Sequence, residues 1–406
     1  MGCTSDFFEK KKGWSFLKDR LISCYLVPYT SKILTTKKPL IFIDCFAGKG
    51  RFNDGHVGSP IIIAENIKKY LEKENNFNKS ISGIFIEKKY IYELQDNLKQ
   101  YKNCKVWGGT FEDNLEEILA LDASNNLFIY IDPYGIKSLD FNRFKSLQCK
   151  RFNTLEMLIN FNTFGFLREA CRILKYDSVL KDFDSDDDFE IDLTNDIDNM
   201  NSIANGEYWQ DIIYDYKNSL ISMHQAEEMF ATEYKKRIKQ IFKYVIDVPI
   251  KARAKNIPKY RMIFATNKDD GLILMTDNMN GVWKEISKKD DCGQISLFDY
   301  FPELDTLESV SIEEEIISFL KEQDKPISLK ALIVHMIEKH GISFREKDYK
   351  DVLRKMEDKE INILRIPEHT EKGRKATSLD YTLYDIKVDL KDGVPFNLFS
   401  NLSTNI

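Results

Sequence analysis

"IFIDCFAGKG", residues 41–50, decides the fold. Ile41, Phe42 and Ile43 run without a polar break into Asp44, and Gly48 and Gly50 follow within six residues. An apolar run that does not alternate fits a strand covered on both faces better than one with a wet side. A carboxylate at the C-terminal end of such a strand, with glycines leading toward a helix, stands where open α/β sheets bind ligands. Glycine lets the backbone approach a ligand closely and adopt angles closed to other residues. Outward from this stretch, apolar runs recur at "SGIFIEK" (82–88), "CKVWG" (104–108), "NLFIYID" (126–132) and "LEMLINF" (155–161). Helix-like segments separate them: "SPIIIAENIKKYLEKEN", "KYIYELQDNLKQY", "FEDNLEEILAL" and "DFNRFKSL". The alternation predicts an α/β, doubly wound, Rossmann-like sheet. A long amphipathic helix, "HQAEEMFATEYKKRIKQIFKY", and the runs "YVIDVPI" and "KYRMIFATN" extend it to seven strands.

A length of 406 residues exceeds what one core comfortably serves, so more than one domain is expected. The reading places the sheet domain over 1–284, with an acidic helical insertion near 175–225. A linker follows over 285–310, then a second domain over 311–388 and a tail over 389–406. No run approaches the roughly 18 apolar residues of a membrane helix. The N-terminus "MGCTSDFFEKKKGWSF" lacks a secretory apolar core and has Asp6 where myristoylation wants Ser or Thr, so a cytoplasmic protein is expected. Cys3, Cys24, Cys45, Cys104, Cys149, Cys171 and Cys292 form no CxxC pair, and with only five histidines no metal site is expected.

A net charge of −6 argues against a protein that coats nucleic acid non-specifically, but the charge is uneven. "KDFDSDDDFEIDLTNDIDN" (181–199) reads as solvated acidic surface. "KARAKNIPKYR" (251–261) places Lys251, Arg253, Lys255, Lys259 and Arg261 either along substrate phosphates or on a solvated strand edge.

Past the linker the pattern changes to three short amphipathic helices, "SIEEEIISFLKEQ", "SLKALIVHMIEKHG" and "EKDYKDVLRKMEDK". "INILRI", a charged turn and "LDYTLYDI" then suggest a two-stranded basic ribbon. This is the pattern of a winged helix, whose third helix commonly enters the major groove. Nucleic-acid contact is therefore expected from Lys347, Lys350, Arg354 and Lys355 on that helix, and from Lys372, Arg374 and Lys375 at the ribbon tip; protein docking is the competing use. In the linker, Gln294, Leu297 and Phe298 of "GQISLFDYF" resemble the short peptide that docks on the bacterial sliding clamp.

The ligand after the first strand can be narrowed. A dinucleotide site wants GxGxxG and an acid about 20 residues on, whereas Asn53 holds the third glycine position and Glu87 comes later. A GK[ST] phosphate loop is absent. "DCFAGKG" instead resembles the first motif of class I S-adenosylmethionine-dependent methyltransferases, in the form D-x-F-x-G-x-G. That resemblance implies S-adenosylmethionine as cofactor, with Asp44, Phe46, Gly48 and Gly50 at its methionine end and Glu87 on its ribose. It implies adenine contacts from Thr110 and Phe111, in "WGGTFEDN". "IDPYG" (131–135) resembles the [DNS]-P-P-[YFW] motif of amino-methyltransferases. By it, Asp132 lies beside the cofactor and accepts a hydrogen bond from the target amine, Pro133 supplies a carbonyl and Tyr134 stacks on a base. Here the second proline is missing and Tyr134 moves up one place.

"FIDCFAGKGRF", "FIEKK", "IYIDPYG", "LINFNTFGFLR" and "YRMIFATNKDDGLILMTDNM" together resemble the three-Cys-motif partner proteins, over about residues 1–285. The resemblance implies a class I methyltransferase fold and a partner protein. Two functions follow: methyl transfer to an amino group of a nucleic-acid base, adenine favoured, or cofactor binding without catalysis by a protein that acts through DNA or a partner.

Overall fold

The computed structural model describes residues 13–73, 80–183, 196–251, 258–287 and 311–391. The chain divides into two units, Met1–Pro302 and Glu303–Ile406. The first opens with α1 (Gly13–Ile33), β1 (Leu40–Asp44), α2 (Ser59–Lys73), β2 (Ile81–Glu87), α3 (Ile91–Leu98), β3 (Cys104–Gly108), α4 (Leu115–Leu119) and β4 (Asn126–Ile131). It continues with α5 (Phe141–Cys149), β5 (Thr154–Phe161), α6 (Thr163–Ile173), α7 (Ile197–Ala204), α8 (Tyr208–Lys217) and α9 (Met223–Ile238). It ends with β6 (Tyr244–Lys251), β7 (Pro258–Thr266) and α10 (Asp269–Ser287).

The seven strands lie in the order β3-β2-β1-β4-β5-β7-β6. Strands β1 to β5 are parallel, and β7 runs antiparallel to both of its neighbours. Every residue of β1, β4, β5 and β7 is buried, as a sheet covered on both faces requires. From β1 the chain steps outward to β2 and β3, then returns to β4 on the other side. The order therefore reverses between β1 and β4, and the crevice at their C-terminal ends is a topological switch point.

Helix α1 has no counterpart among the expected segments. Pro28, which lacks a backbone donor, lies inside it and reads in sequence as a break. Its buried stripe of Leu21, Ile22, Tyr25, Leu26 and Tyr29 nevertheless repeats at steps of three and four. Tyr25 donates its hydroxyl to Glu156, a 2% exposed residue of β5 whose carboxyl burial pushes up to about 7. Gly271 in α10 makes room for that acid: a Cβ there would lie 2.2 Å from Glu156 Oε1.

Between α6 and β6, helices α7 to α9 pack an aromatic cluster against the sheet. Phe166 stacks on Phe230 at 4.3 Å, and Trp209 meets Phe166 edge-on. Ser222 and Gln225 close a reciprocal capping box at the start of α9. The acidic run 184–195 lies outside the described residues.

The basic block near β7 requires a correction. Arg261 does not face a polyanion, because its guanidinium is enclosed by carboxylates. It donates to Glu227 at 2.7 and 2.8 Å and to Asp247 at 2.8 Å, with its side chain 7% exposed. Lys235 adds a second contact to Asp247 at 2.6 Å, and Thr163 donates to Glu227 at 2.6 Å. Lys259 is buried as well. Arg253 and Lys255 lie outside the described residues, and of Lys251 only the backbone, at the end of β6, is described.

The second unit contains α11 (Ile312–Lys321), β8 (Ile327–Ser328), α12 (Leu329–His340), α13 (Glu346–Met356), β9 (Ile361–Ile366) and β10 (Asp385–Leu390). Its core joins Ile316, Leu332, Ile333, Met336, Tyr349, Leu353, Ile361 and Val388. The expected ribbon is a three-stranded antiparallel sheet in the order β8-β10-β9. The segment "LDYTLYDI" is not a strand along its length. Asp380 Oδ1 accepts from the Thr382 N–H at 2.9 Å and its hydroxyl at 2.6 Å, which turns the chain and delays β10 to Asp385.

Replacing Arg261 by Ala leaves the buried Glu227 carboxylate without its cation, and Asp247 with Lys235 alone, and is expected to cost about 3–5 kcal/mol. Equilibrium urea unfolding measures it, and a loss under about 1 kcal/mol, the scale of an exposed pair, would overturn this account of the cluster.

Candidate functional site

The turn after β1 is built from backbone groups that must find partners inside the protein. Cys45 N–H donates to the Tyr130 carbonyl at 2.9 Å and Ala47 N–H to the Ile86 carbonyl at 3.0 Å, so the turn is tied to both flanking strands. Gly48 and Gly50 then take left-handed φ values of 61° and 78°, which glycine adopts without strain. At Gly50 a Cβ would also press to 3.2 Å from Leu94 Cδ1.

Two acids hold this turn. Asp44, fully buried, accepts from the Ser59 hydroxyl at 2.6 Å and the Phe46 N–H at 3.2 Å. Glu87, ending β2, accepts from the Gly48 N–H at 2.7 Å through Oε2, and from the N–H groups of Lys89 (2.7 Å) and Tyr90 (3.1 Å) through Oε1. Asp44, Phe46, Gly48, Gly50 and Glu87 are thus brought together at the switch point. Asp44 presents no surface, and acts on the site through the turn that it shapes.

Phe111 is placed differently from the expectation. It is fully buried in the core with its ring edge-on to Phe46 at 6.3 Å, so it supports the half-buried Phe46 from beneath and offers no face to an adenine. Thr110, half-buried, exchanges hydrogen bonds with Asp113, its N–H donating at 2.9 Å and its Oγ1 accepting at 3.1 Å.

At the end of β4, Asp132 meets three donors. Lys18 Nζ from α1 lies 2.7 Å from Oδ2, Tyr130 Oη donates to the same oxygen at 3.0 Å, and Asn160 Nδ2 from β5 donates to Oδ1 at 2.7 Å. The Lys18 ammonium also sits 5.4 Å from the centroid of the Tyr260 ring. Pro133 is buried, while Tyr134 is 50% exposed. Sequence reasoning missed Lys18, Ser59, Tyr130 and Asn160. Asn160 carried a signal, as a polar residue breaking the apolar run "LEMLINF" at its C-terminal end; Lys18 carried none.

In the second unit, Lys350 pairs with Glu346 at 2.7 Å and Arg354 with Asp351 at 2.6 Å, each one turn back on α13. Arg374, Lys372 and Lys375 are exposed at a hairpin tip turned by Gly373. Gln294, Leu297 and Phe298 lie outside the described residues. Cys24, Cys45, Cys104, Cys149 and Cys171 are free thiols; Cys3 and Cys292 are not among the described residues. No helix among the described residues is long and apolar enough to cross a membrane.

No protein-family model matches the chain, and no curated protein matches it. Similar solved structures include a DUF519 protein, LPL1258, from Legionella pneumophila, at 12% identity over 63% of this chain and 85% of that one, with a TM-score of 0.31. A Klebsiella pneumoniae protein assigned as an O-methyltransferase is 9% identical over 64% of this chain and 92% of that one, with a TM-score of 0.29. PKMT2 from Rickettsia typhi is 12% identical over 83% and 73%, with a TM-score of 0.28. At such values the fold rests on the strand order, five parallel strands and an antiparallel β7 inserted before β6. This is a doubly wound, Rossmann-like α/β sheet, the fold class that the resemblance to class I methyltransferases implies.

Burial pushes the Asp44 carboxyl up from 3.8 to about 7, against the pull of Ser59 and the Phe46 N–H, with Asp132 and Asp19 adding to the rise. The folded chain therefore holds this proton more tightly than the unfolded one. Its contribution to stability is complete below about pH 4 and is lost as pH rises through about 7. Glu156 adds a loss of the same sign in the same window. Asp44→Asn should flatten the decline in unfolding free energy between these pH values by up to about 1.4 kcal/mol per pH unit. Identical slopes in urea titrations of the two proteins would show that Asp44 ionises normally.

Proposed function

We propose that the chain binds S-adenosylmethionine at the switch point and transfers its methyl group to an amino group of a nucleic-acid base, adenine foremost. The observation that carries this is the turn after β1, where two left-handed glycines are tied through the Gly48 N–H to the acid that ends β2. The residues fit the cofactor. Gly48, half-buried, leaves the backbone uncovered by any Cβ for the methionine end, and Gly50, packed against Leu94 and Ile61, holds the turn in that path. Of the roughly four acceptor positions of a carboxylate, Glu87 uses three, which leaves one on Oε2 for a ribose hydroxyl. Thr110 borders the adenine side.

When bound, the cofactor supplies a methyl group on a positively charged sulfur. The chain's own part is to orient an amine lone pair toward it, using the fixed dipoles at the end of β4. Asp132 and the Pro133 carbonyl serve as acceptors, and the exposed Tyr134 ring as a stacking face for a base swung out of its helix. The second unit, read as a winged helix, holds nucleic acid. Arg374 is exposed for this, and the Arg354–Asp351 pair lies at the surface, where such pairs are weak enough to exchange for phosphate. A three-Cys-motif partner protein, and the sliding clamp through Gln294, Leu297 and Phe298, are the protein partners in this reading.

A second reading, cofactor binding without transfer, is favoured by one observation: three donors already engage Asp132, one of them the Lys18 ammonium.

Isothermal titration with S-adenosylmethionine is expected to show micromolar binding to the native chain, weakened about tenfold or more by Gly48→Val and by Glu87→Ala. Absence of binding to the native chain would sink the cofactor assignment. Asp132→Ala should keep cofactor binding and lose methyl transfer to adenine-containing oligonucleotides; equal transfer by both proteins would remove Asp132 from the reaction.

A further inference from the structure

Asn160 stands next to last in β5, 1% exposed, with its Nδ2 donating to Asp132 Oδ1 at 2.7 Å. Its Oδ1 is buried and has no hydrogen-bond partner. Turning the amide over would set that oxygen against a carboxylate oxygen, so the orientation is dictated by charge. Native proteins rarely leave such an acceptor unpaired, and where they do the group commonly has a ligand or a role in chemistry. Lys18, Tyr130 and Asn160 all bond Asp132, and among them only Asn160 carries such an orphaned atom.

Asp132 Oδ2 takes two donors, Lys18 and Tyr130, while Oδ1 takes only Asn160. With two acceptor positions per oxygen, Oδ1 has one to spare. Each of two residues joined by a hydrogen bond at the ends of β4 and β5 therefore has a vacant acceptor position, one on a carboxylate and one on a neutral amide. The neighbouring Lys18 nitrogen shows what the locale holds well, a nitrogen donor between a carboxylate and the Tyr260 ring.

We infer that Asn160 Oδ1, in place of the Pro133 carbonyl, pairs with Asp132 Oδ1 to receive the two N–H bonds of the acceptor amine and selects amino over hydroxyl acceptors. A hydroxyl has one proton to donate and leaves one of the two positions unpaired, whereas an amino group fills both. That asymmetry is how a polar site rejects a close analogue. The amide cannot take the amine's proton, so Asn160 acts by orientation. This inference rests on the cofactor reading above.

The test uses two cofactor analogues and needs no substrate. S-adenosylhomocysteine lacks the methyl group; sinefungin carries an amine where the sulfonium methyl would stand. Titration calorimetry on the full chain should show sinefungin binding about tenfold tighter than S-adenosylhomocysteine, the scale of one hydrogen bond to a charged group. Asn160→Ala should abolish that preference while leaving affinity for S-adenosylhomocysteine within about twofold, since that ligand makes no such bond. Asn160→Asp, which keeps an acceptor oxygen, should retain the preference. A preference that survives in Asn160→Ala, that is absent from the native chain, or that vanishes in Asn160→Asp would overturn the role. So would an equal loss of both ligands in the Ala variant, the mark of a purely structural residue. Should the Ala variant fail to fold, the Asp variant alone carries the decision. Failure of both ligands to bind the native chain would instead overturn the cofactor reading itself, and this inference with it.

Discussion

A strand buried on both faces must end somewhere, and the polar groups of the turn that ends it must find partners away from water. At β1 this constraint is met by two acids. Asp44 accepts from Ser59 and the Phe46 N–H, and Glu87 reaches across from β2 to accept the Gly48 N–H. The glycines can follow their left-handed path because those bonds hold the chain in it. The cost appears in the charge of Asp44, where burial outweighs both hydrogen bonds and raises the carboxyl to about 7. The path of the turn and its tie to the start of α2 through Ser59 both descend from this one junction.

The neighbouring junction, at the end of β4, is solved differently. There the acid is not sealed in; it is met by an ammonium from α1, a phenol from its own strand and an amide from β5. Helix α1 is therefore part of the site as well as a cover for the sheet. Its buried stripe sets Tyr25 on Glu156 and, about two turns earlier, Lys18 on Asp132. The two junctions are close enough for the charge of Asp132 to help raise Asp44.

Much of this was legible in the chain. Strands β1, β2, β4 and β5 were visible because a parallel sheet covered on both faces writes unbroken apolar runs, and the glycines, Asp44 and Glu87 because ligand-facing groups follow strand ends. Position along the chain did not distinguish a side chain that faces a cleft from one that faces the core, which is why Phe111 looked like a contact and proved to be a prop. Charge misled in the same manner at Arg261: a basic run says nothing of the carboxylates that α9 and β6 bring to it from 34 and 14 residues away.

The chain by itself determined the alternation of strands and helices from β1 to β5, the two glycines that follow β1, and the acids at the ends of β1, β2 and β4, because each depends on local periodicity or on backbone angles that few residues accept. Which partners those acids meet was decided only by tertiary structure. Lys18 reaches Asp132 across 114 residues, and Asn160 meets it only because β5 lies beside β4. Burial and pairing are properties of the packed molecule, and they determine whether a charge is a ligand-binding group or a satisfied part of the core.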